Sequence, residues 1–304
     1  MTVLQHRNLF LVRERHFYTQ KAFHAFYNYT IMINNNLNIA AIEYDIAWGD
    51  KKANLSIVAD AISRLPHGID LVVLPEMFST GFITESRQRA TELAERNTQE
   101  TMETLKKLSS THNIAIAGSF LAHTASQLYN RAFFIEPGND ETFYDKRHLF
   151  RMGGESDIYT GGKTMPPQVR FRGWNIKIAI CYDLRFPAWC RNRFERDKPY
   201  DLLLVTANWP KARLHPWKTL LSARAIENLS YVCGVNRSGT DPQGIDYGAG
   251  SSGLYDFKGL ACAPQAITVD GGKILLFTLD RQSLDHFRQK FPAWKDADQF
   301  TITI

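Results

Sequence analysis

Residues 174–190 read WNIKIAICYDLRFPAWC, and this stretch decides the fold class. Ile176, Ile178, Ala179 and Ile180 make an apolar run with the length and branching of a buried strand. The run stops at Cys181, the polar residues YDLR follow, and Pro187 then stands where proline suits the first turn of a helix. The segment predicts a strand, a sharp turn at Cys181 and a short helix over residues 186–194. Such a turn exposes the sulfur and points backbone N–H groups toward it. Amides at a helix N-terminus stabilise thiolate and oxyanion alike.

The same alternation extends outward on both sides. LNIAAIEYD (37–45) and IDLVVLPE (69–76) read as buried strands around the amphipathic helix NLSIVADAISRL (54–65). TQETMETLKKLSSTH (98–112) has helical spacing, with Asn97 or Thr98 as its N-cap. IAIAGSFLAH (114–123), LYNRAFFIEP (128–137) and TFYDKR (142–147) follow as strands, separated by turn-rich pieces such as PGNDE. Downstream, DLLLVTANW (201–209) is a strand, HPWKTLLSARAIENLS (215–230) a helix and YVCGVNRS (231–238) a strand. SSGLYDF, AITVD and KILLFTLD are strands, and RQSLDHFRQK (281–290) is a helix. Strands alternating with helices, punctuated by hairpin-like pairs, predict an α/β domain with mixed sheets.

Composition narrows the class. The chain has 304 residues, 44% hydrophobic and 22% charged, which is ordinary globular material. The net charge is only +5 and no dense Lys/Arg run occurs, so a nucleic-acid partner is not expected. The four cysteines form no C-x-x-C pair, and the nine histidines form no ligand-spaced pair, so neither a metal nor another cofactor is expected. No apolar stretch is long enough to span a membrane, and no secretory signal is recognisable; a cytoplasmic protein is expected. Residues 1–36 differ from the rest: they are aromatic, basic and acid-poor. They read as a tail or as the product of an upstream start codon, with Met32 as the true start; a transit peptide is the alternative. The domain itself is placed at residues 37–304.

Glu76 ends an apolar strand, Lys146 follows one, and Cys181 ends another. Strand ends are where reacting groups gather in α/β sheets. Each also has an ordinary structural reading: Cys181 as a buried core thiol, Glu76 as a surface carboxylate or cap, Lys146 as a solvated charge, Glu155 as a turn cap.

Taken together, LPEMFSTGF (74–82), YDKRHLF (144–150) and ICYDLRFP (180–187) resemble the three motif blocks of the nitrilase, or carbon–nitrogen hydrolase, superfamily. The resemblance runs from about Leu37 to about Thr278. GGESDIYTGG, VTANWPKARLHPWKTLLSARAIEN and VCGVNRSGTD look like the omega-amidase branch, which hydrolyses the terminal amide of short 2-oxo dicarboxylic acid monoamides. The resemblance implies a four-layer αββα sandwich and a homodimer. It matches Glu76, Lys146 and Cys181 to the catalytic triad, and Glu155 to a second glutamate near the lysine.

On this reading the partner is a small-molecule amide. Cys181 attacks it, Glu76 moves the proton, and Lys146 with the Tyr182 backbone N–H holds the oxyanion. Arg185 pairs with a substrate carboxylate or, as readily, makes a structural salt bridge. Phe78, Phe82 and Trp209 are expected as apolar walls. General aliphatic amidases, N-carbamoyl amide hydrolases and aliphatic nitrilases share the triad, and a catalytically silent scaffold is the non-enzyme alternative. GAGSSG (248–253) fits the letters of a dinucleotide fingerprint, but a polar loop precedes it and a strand follows, so it reads as a turn.

Overall fold

The computed structural model describes residues 35–138, 141–194 and 199–304. The tail expected at residues 1–36 thus lies, apart from Asn35 and Asn36, outside the described residues. Leu37–Ile304 form one compact unit. Its strands are β1 (Leu37–Tyr44), β2 (Leu71–Val73), β3 (Ala115–Thr124), β4 (Gln127–Ile135), β5 (Glu141–Asp145), β6 (Gln168–Phe171), β7 (Trp174–Ile180), β8 (Leu202–Ala207), β9 (Tyr231–Asn236), β10 (Gly239–Thr240), β11 (Asp246–Gly248), β12 (Gly253–Tyr255), β13 (Ala261–Cys262), β14 (Gln265–Val269) and β15 (Gly272–Leu279). Its helices are α1 (Lys51–Ser63), α2 (Arg87–Leu93), α3 (Glu100–His112), α4 (Glu155–Ile158), α5 (Pro187–Cys190), α6 (Leu214–Asn228) and α7 (Arg281–Lys290).

One sheet runs β14-β15-β1-β2-β3-β4-β5 and the other β13-β12-β9-β8-β7-β6. Each is mixed and has a parallel trio at its centre: β1, β2 and β3 in the first, β7, β8 and β9 in the second. The period of two explains why these strands read as continuous apolar runs. In β1, Leu37, Ile39 and Ala41 face the other sheet, where they meet Ile176, Ile178, Leu202 and Leu204. The alternate residues Ala40, Ile42 and Tyr44 face Val58 and Ile62 of α1 and Met102 and Leu105 of α3. On the far side, Ala179, Leu203, Val205 and Val232 pack against Trp217, Leu221 and Ala225 of α6. Helix, sheet, sheet and helix therefore stack as the expected αββα sandwich, with each buried Leu or Ile worth about 1.5–3 kcal/mol. Helix α6 approaches β9 closely enough that a Cβ at Gly234 would lie 2.5 Å from Leu221 Cδ1.

Two local expectations are corrected. Helix α3 is capped by neither Asn97 nor Thr98; Gln99 occupies the N-cap, without a side-chain capping bond. Asn97 Oδ1 is engaged 3.0 Å from Arg131 Nη1 on β4. The helix expected over residues 186–194 stops at Cys190, because Arg191 turns to an extended backbone and the Asn192 side chain ties down Tyr200. Helix α2 was not anticipated; it is a short element capped by the Ser86 side chain on Arg89 N.

Candidate active site

The two parallel trios deliver their strand ends to one place. Glu76 lies just past β2, Cys181 just past β7 and Asn208 just past β8. Lys146 directly follows β5, and its carbonyl accepts Gly162 N at 2.8 Å. That approach requires glycine, since a Cβ at Gly162 would fall 2.0 Å from Asp145 O.

Lys146 is buried, and its Nζ lies 2.8 Å from Glu76 Oε1 and 2.9 Å from both oxygens of Glu155. Asn130 Nδ2 donates to Glu76 Oε1 at 2.7 Å and to Glu155 Oε1 at 3.1 Å. Asn130 is itself oriented by the Ser119 hydroxyl, 3.0 Å from Asn130 Oδ1. The remaining oxygen of Glu76 accepts Asn208 N at 2.8 Å, and Phe150 N donates to Glu155 Oε2 at 2.6 Å. Each oxygen of both carboxylates thus has at least one donor, as buried charge requires.

Burial by itself pushes the Lys146 ammonium down, but Glu155 and then Glu76 outweigh it, so its pKa rises and it stays a cation. Burial, with Glu76 adding to it, raises the Glu155 carboxyl against the pull of Lys146. At Cys181 burial and the Glu76 carboxylate push the thiol well up, while Lys146 and a backbone hydrogen bond from Asn208 pull it down by less. The turn amides were expected to favour a thiolate; burial first, and then the Glu76 carboxylate, oppose that and favour the protonated thiol.

Cys181 has φ 43°, a left-handed backbone that non-glycine residues seldom adopt. The 3-10 turn Cys181–Arg185 that follows is held by Asp183, which is fully buried. Its Oδ2 accepts Ile180 N at 3.1 Å and Tyr144 Oη at 2.8 Å, and its Oδ1 accepts His148 N at 3.1 Å. Tyr182 N sits at the start of this turn, where helical geometry provides no acceptor for it.

Cys181, Tyr182 and Arg185 line a cavity of about 110 Å³, together with Phe82, Phe150, Asn208, Trp209, Arg213, Asp241 and Tyr247. Phe82 also lies beneath Lys146, with Nζ 5.5 Å from the ring centre. Arg185 makes no salt bridge among the described residues; its guanidinium lies 5.1 Å from the centre of the Trp209 ring. Phe78 does not line the cavity. The turn at Met77, with φ 49°, sends Phe78 into the core between the first sheet and its helices, 5.9 Å from Phe133. Asn130, Asn208 and Ser119 were not anticipated; each is a polar residue in or beside an apolar strand, which is the signal that marks them. Asp183, a candidate salt-bridge partner for Arg185 in the sequence, is instead taken by Tyr144, His148 and Ile180.

The glycine-rich loop 248–253 has an internal use. Gly250 N, Ser251 N and Ser252 N all donate to the buried carboxylate of Glu43, as does the Ser252 hydroxyl at 2.6 Å. Its amides form a nest around an anion, and that anion belongs to β1. Among the described residues no group of three or more His, Cys, Asp or Glu is placed to hold a metal ion.

The family model for carbon–nitrogen hydrolase matches residues 38–289. An omega-amidase, YafV of Escherichia coli K12, is 40% identical over 270 residues, covering 88% of this chain and 98% of that one. A 2-oxoglutaramate amidase of Bacillus subtilis is 30% identical over 263 residues, covering 85% and 96%. Among solved structures, the CN-hydrolase superfamily protein XC1258 of Xanthomonas campestris superposes with a TM-score of 0.82 at 37% identity, over 88% of this chain and 99% of that one. That structure carries an arsenic adduct in its active site.

Proposed function

The chain belongs to the carbon–nitrogen hydrolase family, and from that premise we propose that it hydrolyses the terminal amide of 2-oxoglutaramate or 2-oxosuccinamate at the Glu76–Lys146–Cys181 cluster. It is an omega-amidase, a hydrolase of carbon–nitrogen bonds in linear amides, with a small-molecule amide as substrate. The observation that carries the site is the buried Lys146 ammonium bridging two glutamates at 2.8–2.9 Å behind a cavity that opens on Cys181.

The chemistry is a two-step acyl transfer. Glu76 takes the proton of the Cys181 thiol as the sulfur bonds to the amide carbon. The carbonyl oxygen gains negative charge, which the Lys146 ammonium and the Tyr182 N–H stabilise; one such donor commonly contributes about 3 kcal/mol. Glu76 returns its proton to the nitrogen, the C–N bond breaks and ammonia leaves a thioester. Water, deprotonated by Glu76, adds to the thioester; the C–S bond breaks and the thiol regains its proton. Glu155 and Asn130 fix Lys146 and Glu76 throughout. Arg185 pairs with the carboxylate at the far end of the substrate, and Phe82 and Trp209 wall the cavity.

A second copy of the chain is the partner we infer. Ile226 on the outer face of α6 is 52% exposed and Leu260 is 63% exposed. Gly259, the residue before Leu260, lies against Ile226, since a Cβ there would fall 2.6 Å from Ile226 Cδ1, and its carbonyl accepts the Ser222 hydroxyl at 2.8 Å. Covering this apolar face would suit a homodimer. No described helix is long and apolar enough to cross a membrane. We place the enzyme in the cytoplasm because its nucleophile must stay reduced, and the domain at residues 37–304, with a chain starting at Met32 turning over normally.

Ammonia release from 2-oxoglutaramate, 2-oxosuccinamate, propionamide, a carbamoyl amino acid and a simple nitrile tests the reading. The two carboxylate-bearing amides should give the highest kcat/KM, and Arg185→Leu should remove most of their advantage. Equal rates on propionamide and 2-oxoglutaramate would leave a general aliphatic amidase instead.

A further inference from the structure

The described arginines buried in this fold meet carboxylates. Arg131 pairs with Asp145, Arg224 with Glu227 and Arg237 with Asp45. Arg213 is half-buried at the cavity wall and is not so paired. Among the described residues its guanidinium has no ion pair and no hydrogen bond; it lies over the Phe150 ring, 5.1 Å from the centre. The acids nearby are already occupied. Asp241 accepts Gln243 N at 3.0 Å, Ile245 N at 2.9 Å and Tyr247 Oη at 2.9 Å, while Glu76 and Glu155 hold Lys146.

The cavity therefore presents two guanidiniums, Arg185 and Arg213, neither held in an ion pair among the described residues, while the carboxylate of Asp241 on the same wall is turned to neutral donors. Trp209 ties them together. Its ring supports Arg185, and its Nε1 donates to the Arg213 carbonyl at 2.7 Å. A single carboxylate satisfies one planar fork; a second fork calls for a further acceptor beside it. In a 2-oxo acid that acceptor is the keto oxygen next to the carboxylate. In a 2-amino acid the same position carries an ammonium, which a guanidinium repels.

We propose that Arg213 is a specificity-determining residue that reads the 2-oxo-carboxylate end of the substrate and rejects the 2-ammonium of glutamine and asparagine. The inference rests on the omega-amidase reading and deepens it. Selection comes from both an attraction and a repulsion.

The test compares kcat/KM for 2-oxoglutaramate, glutaramate (the same chain without the keto group), L-glutamine and propionamide in the wild type, Arg213→Leu and Arg213→Lys. In Arg213→Leu the value for 2-oxoglutaramate should fall by at least about thirtyfold, as for truncation of one partner of a close charge pair, and far more than for propionamide. The advantage of 2-oxoglutaramate over both glutaramate and glutamine should shrink. Arg213→Lys, which keeps the charge without the fork, should still discriminate against glutamine while binding 2-oxoglutaramate less well. A wild type that prefers 2-oxoglutaramate, with an Arg213→Leu variant that keeps the full preference, would overturn this inference alone. So would an equal loss on all four substrates. A wild type with no preference for carboxylate-bearing amides would overturn the omega-amidase reading and this inference with it.

Discussion

Tyr144 Oη donates a 2.8 Å hydrogen bond to Asp183 Oδ2, and this contact joins the strand leading to Lys146 to the turn that begins at Cys181. The same carboxylate holds Ile180 N, His148 N and, at 2.7 Å, His148 Nδ1. Asp183 thus spans both loops of the site from beneath without lining the cavity.

Asp183→Ala leaves these donors without an acceptor in a buried place. The variant should lose roughly 3 kcal/mol of stability, the usual cost of stranding buried hydrogen-bonding groups, and kcat should fall as the two loops lose their common anchor. Urea unfolding and kcat on 2-oxoglutaramate read the two effects. A midpoint and kcat both within error of the wild type would contradict this role.

Lys146 separates binding from chemistry. Its contact with the substrate oxygen strengthens as negative charge develops, so Lys146→Ala should lower kcat by about a hundredfold or more. The change in KM should be small. A raised KM with kcat untouched would move Lys146 to substrate binding.

The resting thiol gives a pH signature. Burial and then Glu76 raise the Cys181 pKa. The proton is held more tightly in the folded site than in a free thiol, so the thiolate appears only as pH rises past the ordinary cysteine range near 8.5. Alkylation of Cys181 by iodoacetamide without substrate should be slow at pH 7 and keep rising above pH 9. Glu76→Gln removes a neighbouring negative charge and should shift the curve to lower pH. Rapid alkylation at pH 6–7 in the wild type would show a pre-formed thiolate, and Glu76 would then not be needed to take the proton.

The central strands were legible because both of their faces are buried: Ile176, Ile178 and Ile180 face the other sheet while Ala179 faces α6. Glu76, Lys146 and Cys181 were visible as polar interruptions at the ends of such runs. What sequence left open depends on partners far along the chain. Asn130 meets Glu76 across 54 residues, and Asn208 meets it across 132. The cap expected at Asn97 failed because Arg131, from β4, takes its oxygen. Phe78 was misplaced because apolar identity does not tell which side of a turn a ring enters; the left-handed backbone at Met77 decides it. Loop 248–253 was correctly read as a turn, but its anion, Glu43, stands more than two hundred residues upstream.

Ammonia release from 2-oxoglutaramate by the wild type and by Cys181→Ala, measured side by side, tests the thioester mechanism most directly. Cys181→Ala removes one sulfur atom from a partly exposed residue at the cavity wall, so circular dichroism should show the same fold in both. The account predicts turnover in the wild type and none above background in the variant, with Cys190→Ala, Cys233→Ala and Cys262→Ala each retaining the chemistry. A folded Cys181→Ala enzyme that still releases ammonia at the wild-type rate would contradict it.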